Sequence, residues 1–421
     1  MQILLKSATI VSEHSPFNGQ QKDVLIDNGV IASISDNIAP GNAQLISGDG
    51  LHVSGGWMDV FAHFCDPGQE YKEDLQSGAL AAAAGGFTAV MIVPNTQPAL
   101  HTKTQIAYVQ SQAPHNVAEI LPIGAITKNL EGASLAEMYE MKAAGAVAFS
   151  DGLKPVQSSG LLLKALQYVK AFNGAVIQIP DDASISAHGL MHEGIHSTRL
   201  GMPGKPAIAE EIMLKRDLDL LEYTNSRLHV TGVSTRGSIQ LIADAKARGL
   251  QVTCSVTPYH LLFTDADLAS YDSFLKVNPP LRTQDDVDAL RAAVTDGTVD
   301  CIASHHQPQD WDAKQVEFEY AKYGMIGLET AFAALRAALP ELEPAKLARL
   351  LSDNPRSIFG QPAITIKEGA PANLTVFEPN ATYTLSDDRF QSKSRNTPFL
   401  GKPAKGSVTG IIRQNKSWFR S

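Results

Sequence analysis

Cysteine is scarce in this sequence, and its scarcity limits the covalent chemistry open to the chain. Only three cysteines occur among 421 residues, Cys65, Cys254 and Cys301, and no two of them form a CxxC pair. Three widely spaced thiols cannot make an even disulfide framework. We therefore expect a reduced protein of the cytoplasm.

Positive charge and long apolar runs are also in short supply. Lys and Arg number 35 against 44 Asp and Glu, a formal net charge of −9, and no basic block stands out. A nucleic-acid or anionic-membrane partner is therefore not expected. No segment holds about 18 uninterrupted apolar residues, and the opening MQILLKSATIVSEHS turns polar early, so we expect neither a membrane span nor a secretion signal.

What is present is the composition of a globular protein, with 44% hydrophobic and 19% charged residues. From Gly56 onward, apolar strand-like segments alternate with Ala-rich helical ones, a pattern typical of a parallel sheet. Eight strand-like segments occur in order: MDVFAHF, FTAVMIVP, AEILPIGAI, GAVAFSD, GAVIQIP, RLHVTGVS, LQVTCSV and VDCIAS. Residues 56–364 are thus predicted to form an α/β (β/α)8 TIM barrel, whose functional groups lie at the C-terminal strand ends.

Both ends of the chain have β character instead. Residues 1–55 consist of short alternating segments separated by turn residues, and residues 365–421 return to the same pattern. Such runs, bounded by Gly, Pro and Asn, are typical of antiparallel strands. We predict that 1–55 and 365–421 together form one small composite β-sandwich domain beside the barrel.

Several motifs resemble those of dihydroorotases, members of the amidohydrolase superfamily, and they extend over essentially the whole chain. They are MDVFAHFCDPGQEYKEDLQSGALAAAAGGFTAVMIVPNTQP, GAVAFSDG, VTCSVTPYHLLFT, KVNPPLR, GLET and SKSRNTPFLGK. The resemblance implies a metal-dependent barrel with a flanking β domain from both termini, and the reversible ring closure of carbamoyl aspartate to dihydroorotate in pyrimidine biosynthesis. In that reaction zinc polarises the amide carbonyl and supplies hydroxide, while an aspartate moves the proton.

The resemblance also implies a set of metal-binding histidines, most of which this chain lacks. The family ends its first barrel strand in His-x-His, where this sequence has Phe61, Ala62 and His63. Two further family metal histidines align with Ile179 and Gly232. Neither hydrocarbon nor glycine offers zinc a lone pair.

Groups that handle substrate are replaced as well. The family arginine that clamps the substrate carboxylate aligns with Cys65, and the catalytic aspartate of Asp-His-Ala-Pro-His aligns with His305, while the last histidine of that motif aligns with Gln309. Loss of one preorganised catalytic group often costs about 100-fold or more in rate. We therefore predict no catalytic residues, and a pseudoenzyme within a family of cyclic-amide hydrolases.

Five remaining residues define what the barrel mouth can still do. Asn95 and Arg282 match family positions that contact substrate, so we interpret them as vestigial substrate-binding residues; the alternative is that they hydrogen-bond at loop bases. His63, Asp151 and His305 resemble a two-histidine, one-carboxylate set able to hold one ion. We expect no cofactor, with a single zinc ion at these three residues as the alternative. The non-functional interpretation is that the histidines are hydrogen-bonded packing residues.

Other candidates carry weaker signals. His188, His192 and His196 have the i, i+4, i+8 spacing of one helix face, yet the intervening glycines favour a surface coil over a metal site. Cys65 is either a nucleophile activated by a nearby base or an inert small hydrophobe. Trp311 is interpreted equally well as loop packing or as a ligand contact.

Three functions follow. The first is a non-catalytic dihydroorotase homologue, homo- or hetero-oligomeric, that acts as a structural or regulatory partner of aspartate transcarbamoylase; the resemblance implies that partner. The second is an amidohydrolase with a rebuilt one-metal site that hydrolyses a cyclic amide or ureide, as dihydroorotases, hydantoinases and allantoinases do. The third is a module that binds a pyrimidine precursor through Asn95 and Arg282.

Overall fold

The structure, a computed structural model, describes residues 1–112 and 115–420. Its strands are β1 (Gln2–Val11), β2 (Gln21–Asp27), β3 (Val30–Ser35), β4 (Gln44–Ile46), β5 (His52–Gly55), β6 (Trp57–Ala62), β7 (Phe87–Ile92), β8 (Glu119–Gly124), β9 (Ala148–Phe149), β10 (Val176–Gln178), β11 (Met191–His192), β12 (Gly204–Lys205), β13 (Leu228–Thr231), β14 (Val252–Val256), β15 (Cys301–Ile302), β16 (Asn373–Thr384), β17 (Pro403–Arg413) and β18 (Lys416–Phe419). Its α-helices are α1 (Leu75–Ala84), α2 (Lys103–Gln112), α3 (Met138–Ala143), α4 (Ser159–Val169), α5 (Ala183–Ser186), α6 (Ile195–Leu200), α7 (Ile208–Thr224), α8 (Arg236–Ala247), α9 (Gln284–Asp296), α10 (Trp311–Lys314), α11 (Ala331–Ala338), α12 (Pro344–Ala348) and α13 (Asn354–Ile358). In this described part of the chain, none of the helices combines the length and apolar character needed to cross a membrane.

The predicted barrel is confirmed, and its strands are the eight segments chosen from the sequence. They pair in parallel in the order β15, β14, β13, β10, β9, β8, β7, β6. The ring closes where Ala62 forms a parallel bridge with His306 and the backbone N–H of His63 donates to the carbonyl of His306 at 2.8 Å. Every residue of β6 and β7 is buried, as expected for parallel strands covered on both faces.

Helix caps fix the loops that leave the barrel mouth. Before α1, Asp74 accepts a hydrogen bond from the backbone of Ser77 at 2.7 Å, while Ser77 accepts one from the backbone of Asp74 at 3.1 Å. Thr235 caps α8 through the backbone N–H of Ser238 at 3.0 Å. Because each cap satisfies helix N–H groups that have no partner within the helix, each also sets where the mouth loop ends.

The flanking β domain built from both termini is also confirmed. Its strands pair in the order β18, β17, β16, β5, β1, β2, β3, with β4 added beside β1. β5 joins the two termini, since it pairs in parallel with β1 and antiparallel with β16. Ser7 has φ 51° at a register shift in β1, and this bulge lets one edge of β1 pair with both β4 and β5. The predicted domain limits, 1–55 plus 365–421 and 56–364, stay predictions.

Candidate active site at the barrel mouth

The C-terminal ends of the barrel strands are filled with apolar side chains at two of the altered family positions. Phe61 and Ile179 are each only 2% exposed. Both belong to one cluster of buried residues inside the barrel, together with Val60, Met91 and Ile177. Where the family resemblance implies imidazole ligands, this chain therefore packs hydrocarbon against hydrocarbon.

His305 is held in this core by a ring contact and a hydrogen bond. Its imidazole lies over Phe61, with ring centroids 4.5 Å apart and planes inclined by 31°. Its Nε2 lies 2.8 Å from the hydroxyl of Thr231. Burial lowers the pKa of His305 to about 3, because the charged imidazolium would lose its hydration, so the ring is neutral at physiological pH.

The changes at positions 232 and 305 are sterically coupled. Gly232 has φ +68°, and a Cβ built there would lie 2.7 Å from Cε1 of His305. That distance is shorter than any relaxed carbon contact. The ring of His305 thus occupies the space into which a side chain at 232 would project, and the two groups exclude each other in this arrangement.

A chain of hydrogen bonds through the barrel interior holds His305 in place. The hydroxyl of Ser255 donates to the hydroxyl oxygen of Thr231 at 2.8 Å, so the hydroxyl of Thr231 in turn donates its hydrogen bond to Nε2 of His305. Ser255 then accepts from Nε2 of His229 at 3.1 Å, and Nδ1 of His229 accepts from Thr253 at 2.9 Å. One direction of donation satisfies every link, which places the proton of His305 on Nδ1.

His63 survives from the family pair, but both of its ring nitrogens are engaged. Nε2 donates to the carbonyl of Asn95 at 2.8 Å, so in the neutral ring Nδ1 accepts from the thiol of Cys65 at 2.9 Å. Burial lowers the pKa of His63 to about 4 and raises the pKa of Cys65 to about 12. The thiol therefore stays protonated, the opposite of what a cysteine nucleophile requires.

Asp151 is enclosed by the loop that follows β8. Its Oδ1 accepts from the backbone N–H groups of Ile126 and Thr127, both at 2.9 Å, and its Oδ2 accepts from the hydroxyl of Thr127. Burial raises the pKa of Asp151, although these hydrogen bonds act in the opposite direction. The carboxylate is therefore an anchor for this loop.

The three predicted metal ligands are not gathered into a ligand group. Within residues 1–112 and 115–420, no three His, Cys, Asp or Glu side chains are grouped so that they could hold an ion. Each of His63, Asp151 and His305 instead binds protein atoms nearby. These residues do not fit the zinc centre that the resemblance implies, and the single-ion alternative stays a prediction.

Arg282, one of the two predicted substrate contacts, is a buried structural cation. Its guanidinium is 2% exposed and pairs with Glu210 at 3.2 Å. It also donates to the hydroxyl of Ser234 at 3.0 Å and to the carbonyl of Lys205 at 3.1 Å, and it lies 3.2 Å from Nδ1 of His192. Its positive charge is thus matched by a carboxylate from the same chain.

Asn95, the other predicted substrate contact, is likewise bound to the protein. Its Oδ1 accepts from the backbone N–H of Leu153 at 2.9 Å, and its Nδ2 donates to the carbonyl of Asp151 at 3.1 Å. A Cβ at Gly152 would lie 1.8 Å from that Oδ1, so the loop approaches the amide closely. Asn95 thus hydrogen-bonds at a loop base, and its predicted contact with substrate stays a prediction.

The weaker candidates lie apart from the mouth core. His192 is buried beside Arg282, whereas His188 is exposed and His196 is partly exposed. These histidines therefore differ in environment and do not line one helix face. Trp311 begins α10 and is 67% exposed, so its side chain is largely in solvent.

One buried polar cluster was missed by sequence reasoning. His306 accepts from the backbone N–H groups of residues 327–328 through Nδ1, so Nε2 carries the proton and faces Oε2 of Glu73 at 3.5 Å. Ser392 donates to the same Glu73 carboxylate. Burial, with the nearby charge of Glu73, raises the pKa of Glu329 to about 8. Glu329 lies in the GLET motif and Ser392 in the SKSRN motif, so these two motifs could have indicated the cluster from the sequence.

Comparison with known proteins gives one family and one fold. A model of the dihydro-orotase-like family matches residues 51–238. A dihydroorotase of Pelotomaculum thermopropionicum is 42% identical over 411 residues, 96% of each chain, and one of Syntrophus aciditrophicus is 39% identical over 421 residues, 99% of each.

Solved structures of similar shape include proteins named hydantoinase and dihydropyrimidinase. The L-hydantoinase (dihydropyrimidinase) from Arthrobacter aurescens has a TM-score of 0.85 at 22% identity, covering 99% of this chain and 95% of that one. The dihydropyrimidinase from Brevibacillus agri has a TM-score of 0.84 at 20% identity, covering 100% and 95%. At such identities the likeness shows the fold alone.

Proposed function

We propose a function from one premise: the chain belongs to the dihydroorotase family. Within that family it is a non-catalytic member of pyrimidine biosynthesis and a structural or regulatory partner of aspartate transcarbamoylase. The observation that carries the proposal is the ring of His305, which stacks on Phe61 and fills the space beside Gly232. Three positions that the resemblance assigns to chemistry are thereby engaged in packing.

The electrostatics of the mouth support the same proposal. A catalytic site keeps polar groups aimed at the place where charge develops in the transition state. Here His63, Asp151 and Arg282 are bonded to neighbouring protein atoms, and the pKa of His63 is lowered to about 4 by burial. A retained fold whose mouth is filled by its own side chains supports a role that does not depend on turnover.

Catalysis and metal content test the first half of the proposal. We expect the gently purified protein, assayed with added zinc, to interconvert carbamoyl aspartate and dihydroorotate no faster than buffer. We also expect less than about 0.1 equivalent of zinc, because the donor set lacks the family histidines. An active dihydroorotase purified in parallel is the control. Stoichiometric zinc together with turnover of a cyclic amide or ureide would instead establish the one-metal amidohydrolase.

Association tests the second half. We expect co-expression with aspartate transcarbamoylase from the same organism to yield a complex that survives size-exclusion chromatography. We also expect the transcarbamoylase expressed alone to lose activity or its native oligomeric state. Full activity of the isolated transcarbamoylase, with no co-elution, would remove the partnership.

A further inference from the structure

A cavity lies at the opposite end of the molecule, where the base of the barrel meets the terminal sheet. Its volume is about 660 Å³. Its walls come from the first residue of β8, from α13, from residues 361–373 and from the end of β17. Because Glu119 opens β8, the cavity is at the N-terminal end of the barrel strands, so an inference about it does not rest on the proposed function.

The charge of this cavity is opposite to that of the whole chain. Arg356, Lys367 and Arg413 line it, against the single acidic residue Glu119. The chain as a whole carries a net charge of −9. A local excess of cations in an acidic protein concentrates anions at that place.

Arg356 is a buried cation with no carboxylate at ion-pair distance in the described part of the chain. It is only 4% exposed, and the carboxylates of Glu119 and Asp353 act on it from farther away. Its Nη2 donates to the carbonyl of Gly56 at 3.0 Å and to the hydroxyl of Thr88 at 3.1 Å. Burial lowers its pKa to about 10, since desolvation disfavours the cation. A bound anion would offset that desolvation.

Arg413 adds a second guanidinium to the wall. It donates through Nε to the carbonyl of Val117 at 3.1 Å and through Nη2 to the carbonyl of Asn116 at 3.3 Å, while its Nη1 is 4.0 Å from Glu119, at the outer limit of an ion pair.

We propose that this cavity binds a phosphate ester of nucleotide size. Guanidinium nitrogens are strong donors to phosphate oxygens, and two arginines line this cavity. In each of them Nε and Nη2 donate to protein oxygens, and Nη1 is the nitrogen that donates to no acceptor among the described residues. Small-molecule sites have volumes of roughly 300–1,000 Å³, a range that includes this cavity. Lys367 is exposed at the rim, where it neutralises a further charge of the ligand.

Titration calorimetry with chosen probes tests the proposal. The probes are uridine and adenosine 5′-monophosphates, the two uncharged nucleosides and inorganic phosphate. We expect the monophosphates to bind with millimolar or better affinity, the nucleosides not to bind, and added NaCl to weaken binding, because salt screens exposed charges. If no monophosphate binds at about 5 mM, or if the nucleosides bind equally well, the proposal is wrong.

Variants of opposite sign make the test specific. Lys367→Gln should weaken monophosphate binding by about threefold to tenfold, and Glu119→Gln should strengthen it, because one removes a cation of the wall and the other its acid. Lys215→Gln, on α7 and well exposed, is the matched control and should change nothing. Equal weakening by Lys215→Gln and Lys367→Gln, or weakening by Glu119→Gln, would overturn the proposal. Unchanged thermal unfolding identifies the variants as folded.

Discussion

The two ends of the barrel treat buried charge in different ways. At the mouth, Arg282 pairs with Glu210, and burial lowers the pKa of His63 and His305 so that both rings are neutral. At the base, Arg356 is buried with hydrogen bonds to a carbonyl and a hydroxyl, and Glu119 and Asp353 act on it from beyond ion-pair distance. A buried cation that is paired within the chain needs no ligand to offset its desolvation, whereas a buried cation without a close carboxylate is stabilised by a bound anion.

The largest loss of stability is expected when the buried ion pair of Arg282 and Glu210 is broken. Arg282→Ala leaves the carboxylate of Glu210 buried and uncompensated, which should lower the free energy of unfolding by about 3–5 kcal/mol. Urea denaturation followed by circular dichroism measures the change. Arg248→Ala, which breaks the exposed pair with Glu222, is the matched control and should cost about 0–1 kcal/mol. Similar losses for both variants would show that Arg282 is not the buried structural cation described above.

The packing between positions 232 and 305 can be separated from backbone strain. Gly232→Ala should cost about 1–2 kcal/mol for its left-handed φ, plus about 1–3 kcal/mol for the contact with His305. Gly249→Ala is matched to it, since Gly249 has φ +82° and a Cβ added there would meet no atom within 4 Å. Unfolding free energies should therefore fall further for Gly232→Ala, and adding His305→Ala should reduce its excess cost. A cost no larger than that of Gly249→Ala would contradict the steric coupling.

Acid should reveal the neutral histidine at the mouth. Burial lowers the pKa of His305 to about 3, whereas an unfolded histidine titrates near about 6.5. Between these two pH values the unfolded state binds a proton that the folded state does not. The contribution of His305 to the free energy of unfolding is therefore fully present above about pH 6.5 and is lost as the pH falls toward about 3. Between about pH 6 and pH 4 this histidine should contribute about 1.4 kcal/mol per pH unit.

Comparing variants isolates that contribution. For His305→Asn, the unfolding free energy should depend less steeply on pH than for the wild-type protein. The difference in slope should correspond to one proton fewer taken up on unfolding. His188→Asn, at an exposed position, should keep the wild-type slope. Parallel slopes for the wild type and His305→Asn would mean that the ring at 305 is protonated in the folded state.

The smallest expected effect concerns pyrimidine precursors at the mouth. Dihydroorotate, carbamoyl aspartate and orotate at millimolar concentration should leave the melting temperature unchanged, because Asn95 and Arg282 already bind protein atoms. Thermal-shift measurement checks this. A rise of several degrees with any of the three ligands would favour the precursor-binding module and would remove the contrast between the two barrel ends.

Much of the fold was predictable because strand and helix patterns are local. The eight barrel strands are short, strongly apolar segments, and β6 and β7 are buried at every residue, so their identity follows from composition alone. The return of the C-terminal segment to β structure was likewise predicted from its sequence pattern. The pairing of β5 with both β1 and β16 required the structure, since it joins residues far apart in the chain.

By itself, the sequence determined which donor atoms the barrel mouth can supply. Side-chain chemistry is a property of identity, so Phe61, Ile179 and Gly232 exclude imidazole ligands wherever they lie. Only the tertiary structure decided how the remaining groups are used. His305 fills the space beside Gly232, and Arg282 pairs with Glu210, because packing brings together side chains from different strands and loops. Distances of a few ångströms between distant residues depend on that packing, and no local pattern encodes them.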